Sequence, residues 1–397
     1  MIFDVKKIRY LIVIYLIIMN LVSCGDAAPP DRYRPDVLLG ASRLSDLLGA
    51  DHRSGFPLVL SPRSFEFPAD HGPHSEFRNE WWYVTGNLIG PNNALFGYEL
   101  TFFRFSLTPQ ITDEKDSAWQ TNQVFIAHFA ITDVTGDEFH VAQRYSRGGA
   151  GLAGANGDPF KVWLDDWSIR QIDQGGDEPI WQLTAHGDGV DGEQFGVELQ
   201  LSSRKPPILN GIDGLSQKSA EAGNASYYYS LSRLKSEGSV HIGATSYAVS
   251  GLSWLDREWG SSALSAEQQG WDWFALQLSD GNELMFYDIR RNDGSSDRHS
   301  AGTWIDSTGN PLHLERQDVS INVLDTWVND RGDVYPAKWQ ITIPSKDLSL
   351  TVTPVLENQE LITNVRYWEG AVDVTGSNGN RSVTGRGYVE LTGYADR

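Results

Sequence analysis

From Phe56 to its end the chain is a succession of strand signals with no helical period between them. EWWYVTGNLI, ALFGYELTFFRFSL, QVFIAHFAITDV, VWLDDWSIRQI, IWQLTAHGD and FGVELQLSS alternate apolar and polar residues or run through aromatics. GPNN, TGDE, DQGGDE and GDGVDGE separate them as turns. Parallel strands need a crossover of a dozen or more residues, usually a helix. None is offered here, so the pattern predicts an all-β fold and excludes βαβ units.

A polar break, LNGIDGLSQKSAEAGN, covers Leu209 to Asn224. Strand signals then restart with YYYSLSRL and continue to GRGYVELTGY. Two β-rich halves of similar length result, set at 61–223 and 224–397. EWWYVTGNLIGPNNALFGYEL and GWDWFALQLSDGNELMFYDI both read as aromatic strand, tight turn, strand, which suggests a degenerate repeat. That matching pairs Tyr98–Glu99 with Tyr287–Asp288. Meandering antiparallel sheets of this size close most naturally into barrels, which remove exposed edges. A barrel of about eight strands can hold one small ligand.

The N-terminus has another purpose. Lys6, Lys7 and Arg9 precede the apolar run Leu11 to Met19, and LVSC ends at Cys24, the single cysteine of the chain. The run is short for a bilayer span. The pattern is that of a secretory signal with a lipobox-like end, so residues 1–24 are expected to be removed and Cys24 to carry the lipid. Gly25 to about residue 60, rich in Pro, Asp and Arg, reads as a linker. The expected location is the bacterial cell envelope, with the membrane as a partner through the anchor. The formal charge is −20 and falls to about −22 once the signal segment is lost. So acidic a body repels nucleic acid. With Cys24 acylated no disulfide is possible, and stability must come from a core that 40% hydrophobic residues can supply.

The chemistry concentrates in SGLSWLDREWGSSAL. The strand period of two puts Trp254, Asp256 and Glu258 on one face and Leu255, Arg257 and Trp259 on the other. If the first set faces a barrel cavity, two carboxyls meet an indole away from water. Burial and like charge then raise at least one carboxyl pKa. A neutral acid beside aromatic faces can protonate an alkene, and the rings stabilise the cation formed. The alternative is that Asp256 and Glu258 pair with Arg257 or anchor turns. In GWDWFALQL, Asp272 faces away from Trp271 and Trp273 and reads as a turn or inter-strand partner. Of Tyr287 and Asp288 only one can face a cavity. Glu80 shares a face with Trp82, and Arg386, Tyr388 and Glu390 share one near the C-terminus. His71 and His74 lack metal-like spacing, and no phosphate loop or G-x-S-x-G elbow occurs.

HSEFRNEWWYVTGNL, YYYSLSRL, SWLDREWGSSAL, GWDWFALQLSDGNELMFYDIR and YWEGAVDVTG with GRGYVELTGY occur in this order. Together they resemble the carotenoid hydratase (hydroxyneurosporene synthase) family, and within it the secreted AttH-like branch. The resemblance spans about Pro62 to Tyr394. It implies two lipocalin-like antiparallel β-barrels in tandem and cofactor-free addition of water to a terminal double bond of an acyclic carotenoid. It also implies that the proton donor falls on Asp256. Trp254 stands where the carotenoid enzymes carry a Tyr, and Tyr227, Tyr228, Tyr229 and Arg233 occupy the region of a His/Trp pair.

Three functions follow as expectations. The first is a hydratase or related hydrolase for an isoprenoid-like molecule, with Asp256 as acid and Glu258 placing water. Trp254, Trp271, Trp273, Trp82, Tyr229 and Tyr287 would line its hydrophobic substrate, and no metal or other cofactor is called for. The second is a carrier of a lipid or pigment that uses the same cavity without an essential acid. The third is a carbohydrate-active or carbohydrate-binding protein, since Trp and paired carboxylates also suit sugars.

Overall fold

The structure is a computed structural model that describes residues 55–110, 117–172, 179–189, 192–261 and 264–395. The expected signal segment, Cys24 and most of the 25–60 linker lie outside the described residues. Helical elements among the described residues are single 3₁₀ turns such as Ala69–His71.

All strands pair antiparallel, in two sheets. The first holds β1 (Asn79–Ile89), β2 (Leu95–Ser106), β3 (Gln123–Asp133), β4 (Glu138–Arg147), β5 (Ala153–Asn156), β6 (Lys161–Leu164) and β7 (Trp167–Ile172). It continues with β8 (Ile180–Asp188), β9 (Gln194–Ser203), β10 (Ile208–Leu209), β11 (Leu215–Gln217), β12 (Ala225–Ile242) and β13 (Thr245–Gly260). The second holds β14 (Gln268–Leu278), β15 (Glu283–Arg291), β16 (Ala301–Ile305), β17 (Pro311–Glu315) and β18 (Ser320–Val328). It is completed by β19 (Val334–Ile343), β20 (Leu348–Pro354), β21 (Glu360–Ile362), β22 (Arg366–Asn378) and β23 (Arg381–Leu391).

The first sheet runs β4-β3-β2-β1-β13-β12-β9-β8-β7-β6-β5 and curls into a nearly closed barrel. Where β4 meets β8, Gly187 leaves the room: a Cβ there would stand 2.5 Å from the Ala142 methyl. The second runs β17-β16-β15-β14-β23-β22-β20-β19-β18 and forms a half-barrel. The expected all-β tandem of lipocalin-like barrels is what the chain folds into.

The expected break at 223/224 is in the wrong place. Strands β12 and β13 hydrogen bond between β9 and β1, so the first sheet extends to Gly260 and the second begins at Gln268. After the polar break the chain returns to the sheet it left, which a local reading of residues cannot show.

Each sheet has its own core. Trp82, Val84, Phe102, Phe129, Trp167, Leu255 and Trp259 fill the barrel. Phe274, Leu276, Trp339, Val372 and Trp368 fill the half-barrel. A third cluster, with Tyr83, Tyr228, Trp254, Trp273, Met285 and Tyr388, lies between the sheets. Close approach there depends on Gly97 of β2, where a Cβ would come within 2.5 Å of the Ala371 methyl on β22.

The repeat suggested by the sequence has a topological counterpart. The order β2-β1-β13-β12 in one sheet matches β15-β14-β23-β22 in the other. In both, a hairpin pairs through its first strand with the last strand of its sheet. The proposed match of Tyr98–Glu99 with Tyr287–Asp288 fails, however. Tyr287 lies opposite Trp273 as Thr101 lies opposite Tyr83, whereas Glu99 lies opposite Thr85.

Candidate functional site

Register decides what faces the space between the sheets. Across β2-β1-β13-β12 one row reads Thr101, Tyr83, Asp256, Ser230, and the next reads Phe103, Trp81, Glu258, Tyr228. Directly opposed residues share a face, so both rows project from the outer surface of the barrel toward the half-barrel. From the second sheet the row Tyr287, Trp273, Glu390, Glu369 crosses β15-β14-β23-β22 and faces back, with Trp271 and Ile289 beside it. The two surfaces enclose a largely apolar cavity. Asp256, Glu258 and Tyr228 line it from the first sheet, and Trp271, Trp273 and Glu390 line it from the second.

Asp256 is 3% exposed. Its Oδ1 accepts hydrogen bonds from Ser230 Oγ at 2.5 Å and Trp254 Nε1 at 2.6 Å. Its Oδ2 accepts from the Tyr228 hydroxyl, which itself accepts from Trp273 Nε1 at 3.2 Å. Burial raises the carboxyl to about 7, with the Glu258 charge adding to it, although the three donors pull the other way. A substantial share of Asp256 is therefore neutral at neutral pH. Two donors already occupy Oδ1, so the acid proton belongs on Oδ2, on the side of Tyr228.

Glu258 is differently placed. Lys218 Nζ lies 3.0 Å from its Oε1, and Ser226 donates to the same oxygen. Burial alone would lower the Lys218 ammonium, but Glu258, Tyr287 and Asp256 outweigh it and hold the ammonium charged. The same ammonium sits 4.1 Å from the Tyr287 ring centre and 5.2 Å from that of Tyr228. The cavity wall thus already holds a positive charge against ring faces.

Two further carboxyls, Glu369 and Glu390, line the cavity and form a group with the buried Glu99. Burial, then mutual repulsion with Glu390, raises Glu99 and Glu369 well above the usual carboxylate range. Tyr83 donates to Glu369 Oε2 at 2.8 Å, while the buried Glu369 Oε1 and Glu99 Oε2 accept from no donor among the described residues. Burial pushes Glu390 up to about 8 against a hydrogen bond from the Trp271 indole, and the charges of Asp256 and Glu258 add to the rise. Among the described residues, no three or more His, Cys, Asp or Glu are grouped to hold a metal ion.

The chain matches the AttH-like family profile over residues 58–394. It belongs to the AttH-like family. A crystal structure of an AttH-type protein from Nitrosomonas europaea is similar to it at 32% identity, covering 85% of this chain and all of that one, with a TM-score of 0.73. Kievitone hydratase from Nectria haematococca shares the fold at 16% identity over 86% of this chain and 97% of that one, with a TM-score of 0.62. The dehydratase AsqC of Emericella nidulans is 24% identical over 208 residues, which are 49% of this chain and 53% of that protein. The chain thus spans about half the length of this curated relative.

In this AttH-like chain the expected site residues separate into two groups. Asp256, Glu258, Trp271, Trp273 and Tyr287 do line one cavity. Trp254 is buried beside it and holds Asp256 by its indole. Trp82 and Tyr229 do not line it. Both belong to the barrel core, where Trp82 Nε1 donates to the His71 carbonyl and the Tyr229 hydroxyl meets His71 Nδ1 at 2.6 Å. The Asp256 face also points outward from the barrel, because the inward parity belongs to Leu255, Arg257 and Trp259. Nor do Asp256 and Glu258 pair with Arg257, whose guanidinium binds Glu80 and stacks 4.0 Å over Trp82. Asp272 is an inter-strand partner as expected, bound by Arg290 and by the Tyr394 hydroxyl.

These shifts fix the dependence of stability on pH. Asp256, Glu390, Glu99 and Glu369 hold protons more tightly when folded, so their contribution is full below the unfolded carboxyl range and is lost as pH rises through their folded pKa values. His71 (lowered to about 4) and His128 (lowered to about 3) are depressed by burial and act oppositely, but only below about pH 6.5. Above that, the carboxyls alone remain. Thermal melts should show Tm falling from pH 6.5 to 8. Asp256→Asn should gain on the wild type by about 4 kcal/mol between pH 4 and 8, since Asp256 moves from 3.8 to about 7. A difference between the two proteins that stays flat over this range would contradict the assignment.

Proposed function

We propose that this AttH-like protein is a hydratase for a hydrophobic, unsaturated, isoprenoid-like small molecule, and that it is exported and held at the cell envelope by lipid on Cys24. The observation that carries the reading is a buried Asp256 with a pKa of about 7 on the wall of an aromatic cavity. The hydratase and dehydratase named among similar proteins support it.

The residues divide the work. Neutral Asp256 transfers its Oδ2 proton to one alkene carbon, the π electrons forming the C–H bond. Trp273, Trp271 and Tyr287 face the cation that results, and aromatic quadrupoles favour it. Burial strengthens that attraction because water does not compete. Glu258, anchored by Lys218 and Ser226, orients a water toward the cationic carbon. Ser230 and Trp254 keep the Asp256 carboxyl in one orientation throughout.

Incubation of the protein with an acyclic carotenoid, and in parallel with a total membrane-lipid extract, in oxygen-18 water tests this. The expected result is a product carrying one labelled hydroxyl that disappears in Asp256→Asn. A lipid that binds tightly and returns unlabelled from both proteins would favour a carrier instead.

A further inference from the structure

We propose that Glu390 is the second catalytic carboxyl of this site, taking the proton of the attacking water from the wall opposite Asp256. This rests on the hydration reading above.

The internal repeat leads to it. Asp256 lies on β13, the last strand of the first sheet, opposite Tyr83 on β1 and Ser230 on β12. Glu390 lies on β23, the last strand of the second sheet, opposite Trp273 on β14 and Glu369 on β22. Strands β1 and β14 hold equivalent places, as do β12 and β22. Tyr83 and Trp273 are also equivalent by sequence, each two residues after the Trp of its motif, Trp81 or Trp271. Asp256 and Glu390 are therefore the same position in the two halves. Each projects away from its own sheet's core into the shared cavity.

The surroundings of Glu390 fit a proton acceptor that works in step with Asp256. Glu258 is tied to the Lys218 ammonium and the Ser226 hydroxyl, both on the same carboxylate oxygen. Among the described residues Glu390 has no such ammonium partner: it receives one indole hydrogen bond from Trp271 and faces Asp256 and Glu258 on the opposite wall. Beside it, Glu369 is buried, and its Oε1 meets no donor among the described residues. A water bound there would meet the Glu390 and Glu369 carboxyls on the half-barrel side and Asp256 on the barrel side.

The proton balance closes. Asp256 loses its proton to carbon, and the water oxygen forms the C–O bond. One water O–H breaks, and its proton goes to the Glu390 carboxylate. The proton then passes from Glu390 to Asp256, directly or through water, and restores the starting state. The two carboxyls titrate near 7 and near 8, so the shared proton rests more often on Glu390, and the reactive arrangement with Asp256 protonated and Glu390 ionised lies about 1.4 kcal/mol above it. Across the cavity the groups that set this balance are Asp256, Glu258 and Lys218 on the first half and Glu369 and Tyr287 on the second.

The test uses the full chain with Glu390→Gln, Glu390→Asp and Asp256→Asn. The acyclic carotenoid in oxygen-18 water reads turnover, and infrared titration reads the protonated carboxyls. Glu390→Gln should lower label incorporation by about 10²-fold, with partial recovery in Glu390→Asp. The carboxyl absent from Glu390→Gln should titrate near 8 in the wild type and at lower pH in Asp256→Asn, where the opposing charge is gone. Full turnover in Glu390→Gln with none in Asp256→Asn would overturn the role of Glu390 and leave the hydration reading standing. Full turnover in Asp256→Asn would remove both. If the carotenoid is not turned over at all, the titration decides: a Glu390 signal that Asp256→Asn does not move overturns the proposal.

Discussion

Asp256→Asn lowers turnover of the unsaturated substrate by about 10²–10⁴-fold and leaves the fold intact. The amide keeps a carbonyl oxygen where Ser230 and Trp254 donate, and its nitrogen takes the place of Oδ2 beside the Tyr228 hydroxyl, to whose oxygen it donates once that hydroxyl turns its own hydrogen away. Only the transferable proton is removed. KM should change little, because the aromatic walls that bind the substrate are untouched. Label incorporation and a melt at pH 7, done on the same preparation, check both halves of the expectation. A variant that unfolds would place Asp256 in the structure rather than in the chemistry. A folded variant with unchanged turnover would remove it from the reaction.

Glu80→Ala destabilises the protein by about 3–5 kcal/mol, a large share of the stability of an ordinary domain. Glu80 is fully buried on β1, and its two oxygens bind Arg104 on β2 and Arg257 on β13. Both guanidiniums are buried, and burial lowers the Arg104 pKa despite Glu80. The two arginines together hold Glu80 far below the carboxylate range against the effect of burial, and His74 adds to this. Removing the carboxylate strands two cations inside the barrel. The same cluster locks β1 between β2 and β13, and β1 and β13 carry Tyr83 and Asp256. Denaturant unfolding measures the loss, and turnover should fall with it as the cavity wall loosens. A loss under about 1 kcal/mol would show that water reaches the two arginines.

The fold class was legible because strand periodicity and turn residues are local. The boundary between the sheets was not, because β12 and β13 return to a sheet begun more than a hundred residues earlier in the chain. Parity along SWLDREWG correctly grouped Trp254, Asp256 and Glu258. It could not say which face is inward, and Arg257 took the barrel interior because the buried Glu80 carboxylate binds it there. The same ambiguity put Trp82 and Tyr229 among the ligand-binding residues when they belong to the barrel core. Glu390 was visible as part of a face with Tyr388, but only the register across β14 and β22 shows that it opposes Asp256. Lys218 sits in a polar break with no pattern around it, and Glu369 in YWEGAVDVTG reads like any strand residue. Their roles come from pairing across sheets, which no local pattern encodes.

The proposed reaction depends on Asp256 holding its proton up to neutral pH. Infrared titration of the protonated carboxyl band, taken as the wild type minus Asp256→Asn, reads that proton directly. The structure predicts a signal that is lost with a midpoint near 7. A midpoint near 3.8, the ordinary value for this side chain, would mean a carboxylate at all physiological pH and would contradict the account.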